Sequence, residues 1–104
     1  LSMDPDAAVQ FMTLLCRRLL PASQAGRLSP FLVEFPRRLK LSGHFFQHKG
    51  EELGFLLEGR LELTCQGTVR SVAAEQLIRL RSATPSAWRN PGASPARLLW
   101  LLVD

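Results

Sequence analysis

The chain has 104 residues, of which 46% are hydrophobic and 21% charged, and its formal net charge is +4. This length supports one domain with a single core, and the composition is that of a folded globular protein. The longest apolar run, residues 98–103, is too short to cross a bilayer, and no stretch has the organisation of a secretory signal. Two cysteines without CxxC spacing support neither a disulfide framework nor a zinc motif. We therefore expect a reduced, cytoplasmic protein without a membrane segment.

The basic residues do not form a nucleic-acid-binding pattern. Eleven of the thirteen are arginine, they are scattered along the chain, and no tyrosine is present for base stacking. Without a basic run, scattered charges are typical of solvated protein faces. We therefore expect that this chain does not itself bind DNA.

The N-terminal part of the chain leaves helix and strand both open. Residues 1–8 are interpreted as a linker or an expression remnant. In residues 9–20, one subset of apolar side chains follows helical spacing, and another alternates as in a strand. Residues 21–26 predict a loop, and residues 31–35 predict a strand that Pro36 ends.

Residues 48–59 are the stretch around which the rest of the chain is organised. The apolar run at 53–57 predicts a buried strand, because it is too short for an independent helix. His48 and Glu52 lie four residues apart where this strand starts, so their side chains are predicted to converge on one interior point. Glu51 is adjacent to Glu52, so the two carboxylates point to opposite faces and do not form an acid–base pair.

Downstream, alternation of polar and apolar residues with a period of two predicts several short strands. Residues 60–65 and 68–72 form a predicted hairpin across a Gln-Gly turn. Three further strands are predicted at residues 77–81, 88–90 and 97–103. Seven or eight strands with turns between them indicate an all-β sandwich or barrel.

Two features each allow two interpretations. Trp88 shares strand parity with Ser86, so it lines a pocket if Ser86 faces inward, or it belongs to the core. Arg79 and Arg81 share one face of a strand, where they form either a site for an anionic effector or a solvated surface.

Three motifs resemble those of the small cupins, and in particular the sensor domain at the C-terminal end of many bacterial helix-turn-helix regulators. They are HKGEELGFLLEG at residues 48–59, PSAWRNPG at 85–92 and PARLLW at 95–100. The resemblance implies that residues 9–104 form one cupin-type double-stranded β-helix, a jelly-roll barrel. It also implies that residues 9–20 form a strand rather than a helix.

The metal-binding pattern of that family is incomplete in this chain. Metal-binding cupins usually present two His as His-x-His, a Glu four residues after the second, and a third His. His48 and Glu52 match two of these positions, whereas Phe46 and Ser86 stand where the other two histidines would be. The resemblance therefore implies no metal and no other cofactor. If a divalent transition metal does bind, His44, His48 and Glu52 are the candidate ligands.

The resemblance implies a ligand-sensing domain of a transcriptional regulator, without catalytic residues. The resemblance implies a small-molecule effector, a homodimer and no contact with membranes. It also implies that DNA is contacted only through a module absent from this chain. The predicted ligand pocket is lined by Phe46, His48, Glu52, Ser86 and Trp88. Two alternatives stay open: a stand-alone metal-dependent cupin enzyme of the isomerase or dioxygenase type, and a ligand-free barrel that serves for dimerisation.

Overall fold

A computed structural model describes residues 14–104 of the protein. In this part of the chain it contains nine β-strands and one helix of four residues, so the predicted all-β fold class is confirmed. The elements in chain order are β1 (Leu15–Arg18), α1 (Ala22–Ala25), β2 (Leu28–Phe35), β3 (Lys40–Ser42), β4 (Glu51–Glu58), β5 (Arg60–Cys65), β6 (Thr68–Ala73), β7 (Leu77–Leu80), β8 (Ala87–Arg89) and β9 (Ala96–Val103).

The strands form two antiparallel sheets. The first has the order β1-β2-β9-β4-β7, and the second has the order β3-β8-β5-β6. In the five-stranded sheet β9 lies between β2 and β4, so Trp100 is opposite Phe31 on one side and Gly54 on the other. The most C-terminal strand of the chain therefore occupies the centre of the larger sheet.

The hydrophobic core lies between the sheets, because alternate residues of each strand point inward. On β4 the buried positions are Glu52, Gly54 and Leu56, and on β9 Leu98 and Trp100 are completely buried. The smaller sheet contributes the following buried side chains: Leu61, Leu63, Val72 and Trp88. Burial of this continuous apolar layer is the main term that stabilises the fold.

Asn90 holds the connection between β8 and β9 in place. Its buried side-chain amide donates hydrogen bonds to the carbonyl oxygens of Phe35, Pro36 and Ser94, and its Oδ1 accepts one from the Gly92 N–H. The side chain of Asn90 therefore satisfies several backbone groups of the loop. Because its own polar atoms all have partners, Asn90 can be buried to 1% exposure.

Most of the predicted strands are confirmed, and one predicted loop is wrong in detail. The hairpin of β5 and β6, the strands β7 and β9, and the end of β2 before Pro36 agree with the predictions. For residues 9–20, the strand interpretation is confirmed at Leu15–Arg18, and residues 9–13 lie outside the described part of the chain. Within the predicted loop at 21–26, Ala22–Ala25 forms one helical turn, with the Gln24 N–H donating to the Pro21 carbonyl.

The assignment of residues 1–8 to a linker and 9–104 to one domain stays a prediction. No helix of the described residues is long and apolar enough to cross a membrane.

Candidate functional site

A chain of hydrogen bonds between four side chains crosses the interior between the two sheets. His44 Nε2 lies 2.9 Å from Glu52 Oε1, and the Trp100 Nε1–H donates to the same oxygen at 2.8 Å. At the other side of the imidazole, the Trp88 Nε1–H donates to His44 Nδ1 at 3.1 Å. Glu52 is only 5% exposed, so these bonds supply the partners that a buried carboxylate requires.

The tautomer of His44 follows from the chemistry of its neighbours. The indole N–H of Trp88 is only a donor, so His44 Nδ1 accepts. The ring proton is therefore on Nε2, where it is donated to Glu52. Glu52 Oε1 thus accepts from both His44 and Trp100, and Trp88 donates to His44.

Glycine and aromatic packing fix this network geometrically. Gly54 lies opposite Trp100 on the neighbouring strand, and a Cβ at Gly54 would overlap the six-membered ring of that indole. Phe45 contacts both indoles, with ring centroids 5.0 Å from Trp88 and 4.9 Å from Trp100. Offset and edge-to-face contacts of this kind hold aromatic rings in defined orientations.

His48 pairs with a different carboxylate from the one that the sequence predicted. Its Nε2 lies 2.9 Å from Oδ1 of Asp104, while His44 occupies the position beside Glu52. His48 and Glu52 therefore do not hydrogen-bond to each other, because residues 43–50 form an irregular loop in which strand spacing does not apply. The Nδ1 atom of His48 is buried and has no hydrogen-bond partner among residues 14–104.

A cavity of about 270 Å³ opens at this end of the protein and brings His48 and Glu52 together. Its remaining lining residues come from the loop before β4 and from the segment after β7: Lys49, Gly50, Leu80, Arg81, Ser82, Ala83 and Thr84. The cavity is thus polar and positively charged at its rim, with an acidic side chain inside.

The other three residues of the predicted pocket lie elsewhere. Phe46 packs against Phe31 with ring centroids 4.7 Å apart, and Trp88 is a core residue at 1% exposure. Ser86 is exposed, and its hydroxyl lies 3.4 Å from the Thr64 carbonyl oxygen. A larger depression of about 500 Å³ is on the outer face of the four-stranded sheet, away from His44 and Glu52. The five-residue pocket as a ligand site stays a prediction.

The donor set around Glu52 does not fit a transition metal. A metal ligand must present a free lone pair, but His44 Nδ1 accepts from Trp88 and Nε2 carries the proton donated to Glu52. His48 donates its Nε2–H to Asp104 and keeps a free lone pair at Nδ1, so this region offers one free imidazole nitrogen, which is too few for a metal site of several His ligands. Within residues 14–104, no three His, Cys, Asp or Glu side chains are grouped as a metal site would need. The alternative ligand set His44, His48 and Glu52 would require the hydrogen bond between His44 and Glu52 to break, and it stays a prediction.

Arg79 and Arg81 both bind Glu51 on the outer side of β4. The Arg79 guanidinium lies 2.6 Å from Glu51 Oε2, and Arg81 Nε lies 3.3 Å from the same oxygen. The hydrogen bond from Arg79 is the main cause that lowers the pKa of Glu51, with a smaller contribution from Arg81. This arrangement favours the surface interpretation of the two arginines over a dedicated anion site.

Sequence reasoning missed two members of the network, His44 as the partner of Glu52 and Trp100 as its second donor. The signal for Trp100 was available, because a buried indole N–H needs an acceptor and Glu52 has inward parity on an adjacent strand. His44 lies in a loop whose path no local spacing rule predicts.

Comparisons with known proteins agree on the fold. A family model for the cupin domain, Cupin_2, matches residues 32–102. The Cupin_2 domain of an XRE family transcriptional regulator from Enterobacter cloacae is similar in structure, with a TM-score of 0.74 and 18% identity, over 88% of this chain and 97% of that chain. A search of the curated proteins found no significant match.

Two further solved structures illustrate the range of similar proteins. A cupin 2 conserved barrel domain protein from Salinispora arenicola has a TM-score of 0.74 and 20% identity, over 88% of this chain and 76% of that chain. The DMSP lyase DddQ from Ruegeria pomeroyi has a TM-score of 0.75 and 23% identity, over 93% of this chain and 50% of that chain. At such identities the likeness establishes the fold alone.

Proposed function

The chain belongs to the Cupin_2 family of cupin domains, and from this premise we propose that it is the ligand-sensing domain of a bacterial transcriptional regulator. In this proposal the ancestral metal position is occupied by the hydrogen bonds of His44, Glu52, Trp88 and Trp100. The effector binds next to them, in the 270 Å³ cavity, and DNA is contacted by a module outside this chain.

The observation that carries the proposal is the cavity of about 270 Å³ that His48 and Glu52 line together, where the buried Nδ1 of His48 has no hydrogen-bond partner among residues 14–104. A buried polar atom without a partner is costly, and a ligand that satisfies it gains the corresponding free energy on binding. In this proposal His48 and Glu52 are the groups that hold a polar molecule in the cavity.

The chemistry of His48 indicates a hydroxyl-bearing effector. Its Nε2–H donates to Asp104, so Nδ1 accepts a hydrogen bond when the ring is neutral and donates one when the ring is charged. A hydroxyl group serves both cases, because it is donor and acceptor at once. The size of the cavity limits the effector to a small metabolite, below the usual range of drug-sized pockets.

The regulator context is supported by one structural neighbour. The Enterobacter cloacae domain is part of an XRE family transcriptional regulator, and this chain spans nearly all of that domain. We propose a cytoplasmic homodimer, because effector binding is transmitted to DNA-binding modules most directly across a symmetric interface. The DNA sequence upstream of the codon for Leu1 tests this context: a helix-turn-helix pattern supports it, and an in-frame stop codon contradicts it.

Ligand binding is tested by thermal-shift screening with small hydroxylated metabolites. We expect at least one compound to raise the Tm of the wild-type protein and of Val69→Thr, a surface control on the other sheet. The same compound should leave the Tm of His48→Ala unchanged. An equal response of His48→Ala, or no response to any compound, would contradict the proposal and favour the ligand-free dimerisation alternative.

A further inference from the structure

Glu52 is a buried carboxylate whose hydrogen-bond partners are all neutral groups. Its Oε1 accepts from the imidazole Nε2–H of His44 and from the indole N–H of Trp100. The ring of His44 is held neutral, because its Nδ1 accepts the N–H of Trp88 and therefore carries no proton. Within residues 14–104, no Lys or Arg lies within ion-pair distance of Glu52. The negative charge of this side chain thus has no positive partner in the described part of the protein.

One oxygen of this carboxylate is left for a bound molecule. Both hydrogen bonds go to Oε1, and none of those formed by residues 14–104 goes to Oε2. Glu52 also lines the cavity of about 270 Å³. Buried charges in proteins are normally paired, since the desolvation of an ion without a partner is costly. A ligand with a positively charged donor group, such as an ammonium, therefore gains both an ion pair and a strong hydrogen bond at Oε2.

The mouth of the same cavity carries the opposite charge. Lys49 and Arg81 line it, and both residues are exposed. Two acidic side chains close to this mouth already have partners, since Glu51 is shared by two arginines, one of them Arg81, and Asp104 bonds to His48. Lys49 forms no ion pair within residues 14–104, so it is the cation that stays available to a ligand. The cavity therefore has a negative inner end and a positive mouth.

We propose that the effector is a small amino acid in its zwitterionic form, bound with the ammonium group inward and the carboxylate outward. The ammonium donates to Oε2 of Glu52, and the carboxylate lies next to Lys49 at the mouth. A zwitterion matches both ends of the cavity, whereas a simple amine meets a positive mouth and a simple carboxylate meets a negative inner end. This inference rests on the proposed function, in which the effector carries a hydroxyl group, and it narrows the effector to a hydroxy amino acid.

Analogues of nearly equal size separate the two charges of the ligand. Serine, threonine and homoserine are the probes that represent the class. For each, the amide lacks the negative charge, and the acid with a hydroxyl group in place of the ammonium lacks the positive charge. Each compound is added to the 104-residue protein at about 10 mM, where a millimolar affinity already raises the Tm. We expect at least one of the three amino acids to raise the Tm by more than its own two analogues do.

Three outcomes of this series overturn the inference. A hydroxy acid that raises the Tm as much as its amino acid shows that the ammonium is not recognised, and an equally active amide shows the same of the carboxylate. The third is a failure of all three amino acids to raise the Tm. The proposed function is judged separately, because it survives each of these outcomes if another hydroxylated compound raises the Tm of the wild-type protein but not that of His48→Ala.

Substitutions assign each charge of the ligand to its partner. Glu52→Gln keeps an acceptor oxygen for His44 and Trp100 but removes the negative charge. Titration calorimetry should therefore show the Kd of the amino acid rising by about tenfold or more, whereas the Kd of the hydroxy acid should not rise. Equal changes for the two ligands would overturn the pairing of the ammonium with Glu52.

Lys49 provides a test that does not depend on the core, because its side chain is exposed. Lys49→Gln should raise the Kd of the amino acid by about two- to fivefold, as expected for an exposed ion pair. Lys40→Gln is the matched control, since Lys40 is exposed on β3 in the other sheet, and it should leave the Kd unchanged. Lys49→Glu should reverse the preference, so that the amide binds better than the amino acid. An unchanged preference in Lys49→Glu overturns the inference even if Glu52→Gln does not fold.

Discussion

His44 and Glu52 are eight residues apart in the sequence and are joined by a 2.9 Å hydrogen bond inside the protein. Two indole groups bond to this pair. Trp88 donates a hydrogen bond to the imidazole Nδ1, and Trp100 donates one to the carboxylate oxygen that His44 also contacts. A histidine and a glutamate in a cupin interior would suit a metal, but here each already has its hydrogen-bond partners. The pair therefore stabilises the folded state, and in the proposed function His48 is the residue that contacts the ligand.

His44→Phe should destabilise the protein substantially. The substitution keeps an aromatic ring of similar width but leaves the buried N–H of Trp88 without an acceptor and removes one donor from Glu52. Each buried polar group that loses its partner costs about 1–3 kcal/mol, so we expect a loss of about 2–4 kcal/mol in the free energy of unfolding. Urea unfolding measures it, as a lower midpoint with an unchanged m-value.

The matched control for this variant is His48→Phe. His48 bonds to Asp104, a residue whose side chain is 71% exposed, so its replacement should cost less than about 1 kcal/mol. Equal losses for the two variants would contradict the distinction between a structural His44 and a ligand-contacting His48.

Gly54→Ala should disturb the network without touching any polar atom. The added methyl group would overlap the indole of Trp100, which lies directly opposite on β9. Overpacking in a filled core costs about 1–3 kcal/mol, and here the displaced ring is also a donor to Glu52. Gly92→Ala is the control, because its Cβ would approach nothing nearer than Asn90 Oδ1 at 3.3 Å. Thermal unfolding should therefore show a much larger fall in Tm for Gly54→Ala.

Glu51 should contribute to stability at neutral pH but not in acid. Its pKa is lowered, mainly by the hydrogen bond from Arg79, so the folded state favours the ionised carboxylate. This contribution is present above the ordinary pKa of 4.5 and disappears as the pH falls through the lowered value. Glu51→Gln should therefore have a lower Tm than the wild type at pH 7, and the two Tm values should converge as the pH falls below about 4.

Glu75→Gln provides the comparison, because Glu75 forms no ion pair within residues 14–104. Its Tm should follow the wild-type curve at every pH. The Glu51 effect should also shrink in high salt, since the pair is exposed and its charges are screened. A Tm difference for Glu51→Gln that grows toward acid would have the wrong sign.

Purified, tag-free protein should contain far less than one transition metal per chain. This expectation follows from the engaged nitrogen atoms of His44, which leave His48 Nδ1 as the one free imidazole nitrogen of the described residues. Elemental mass spectrometry measures the content directly. Near-stoichiometric zinc, iron, nickel or manganese that is lost in Glu52→Ala would instead promote the metal-dependent enzyme alternative.

The fold was largely predictable because its signal is local. Alternation with a period of two predicted β5 and β7, the Gln-Gly turn predicted the return strand β6, and an apolar run predicted β9. The motif at residues 48–59 predicted the strand β4 and the inward side of Glu52, but β4 is buried on one face only, since Leu57 is 41% exposed. These features depend on which side of a strand a residue occupies, and neighbouring residues are enough to decide that.

The partners of Glu52 were not predictable in the same way. His44 reaches it through a loop without regular structure, and Trp100 reaches it through the pairing of β4 with β9, almost fifty positions away in the sequence. Sequence reasoning placed His48 beside Glu52 because a spacing of four residues is a local pattern. The structure selects His44 because the loop turns His48 toward the C-terminal end of β9.

The central position of β9 has a consequence for the order in which the protein folds. Strands β2 and β4 are synthesised well before β9 but have it as their shared neighbour, so neither can complete its hydrogen bonds until residues 96–103 have been made. Pairings this distant in sequence are slow to form, and the unpaired apolar strands are prone to associate with other chains meanwhile. A nascent chain interrupted before Ala96 would therefore be a substrate for chaperones rather than a smaller version of this domain.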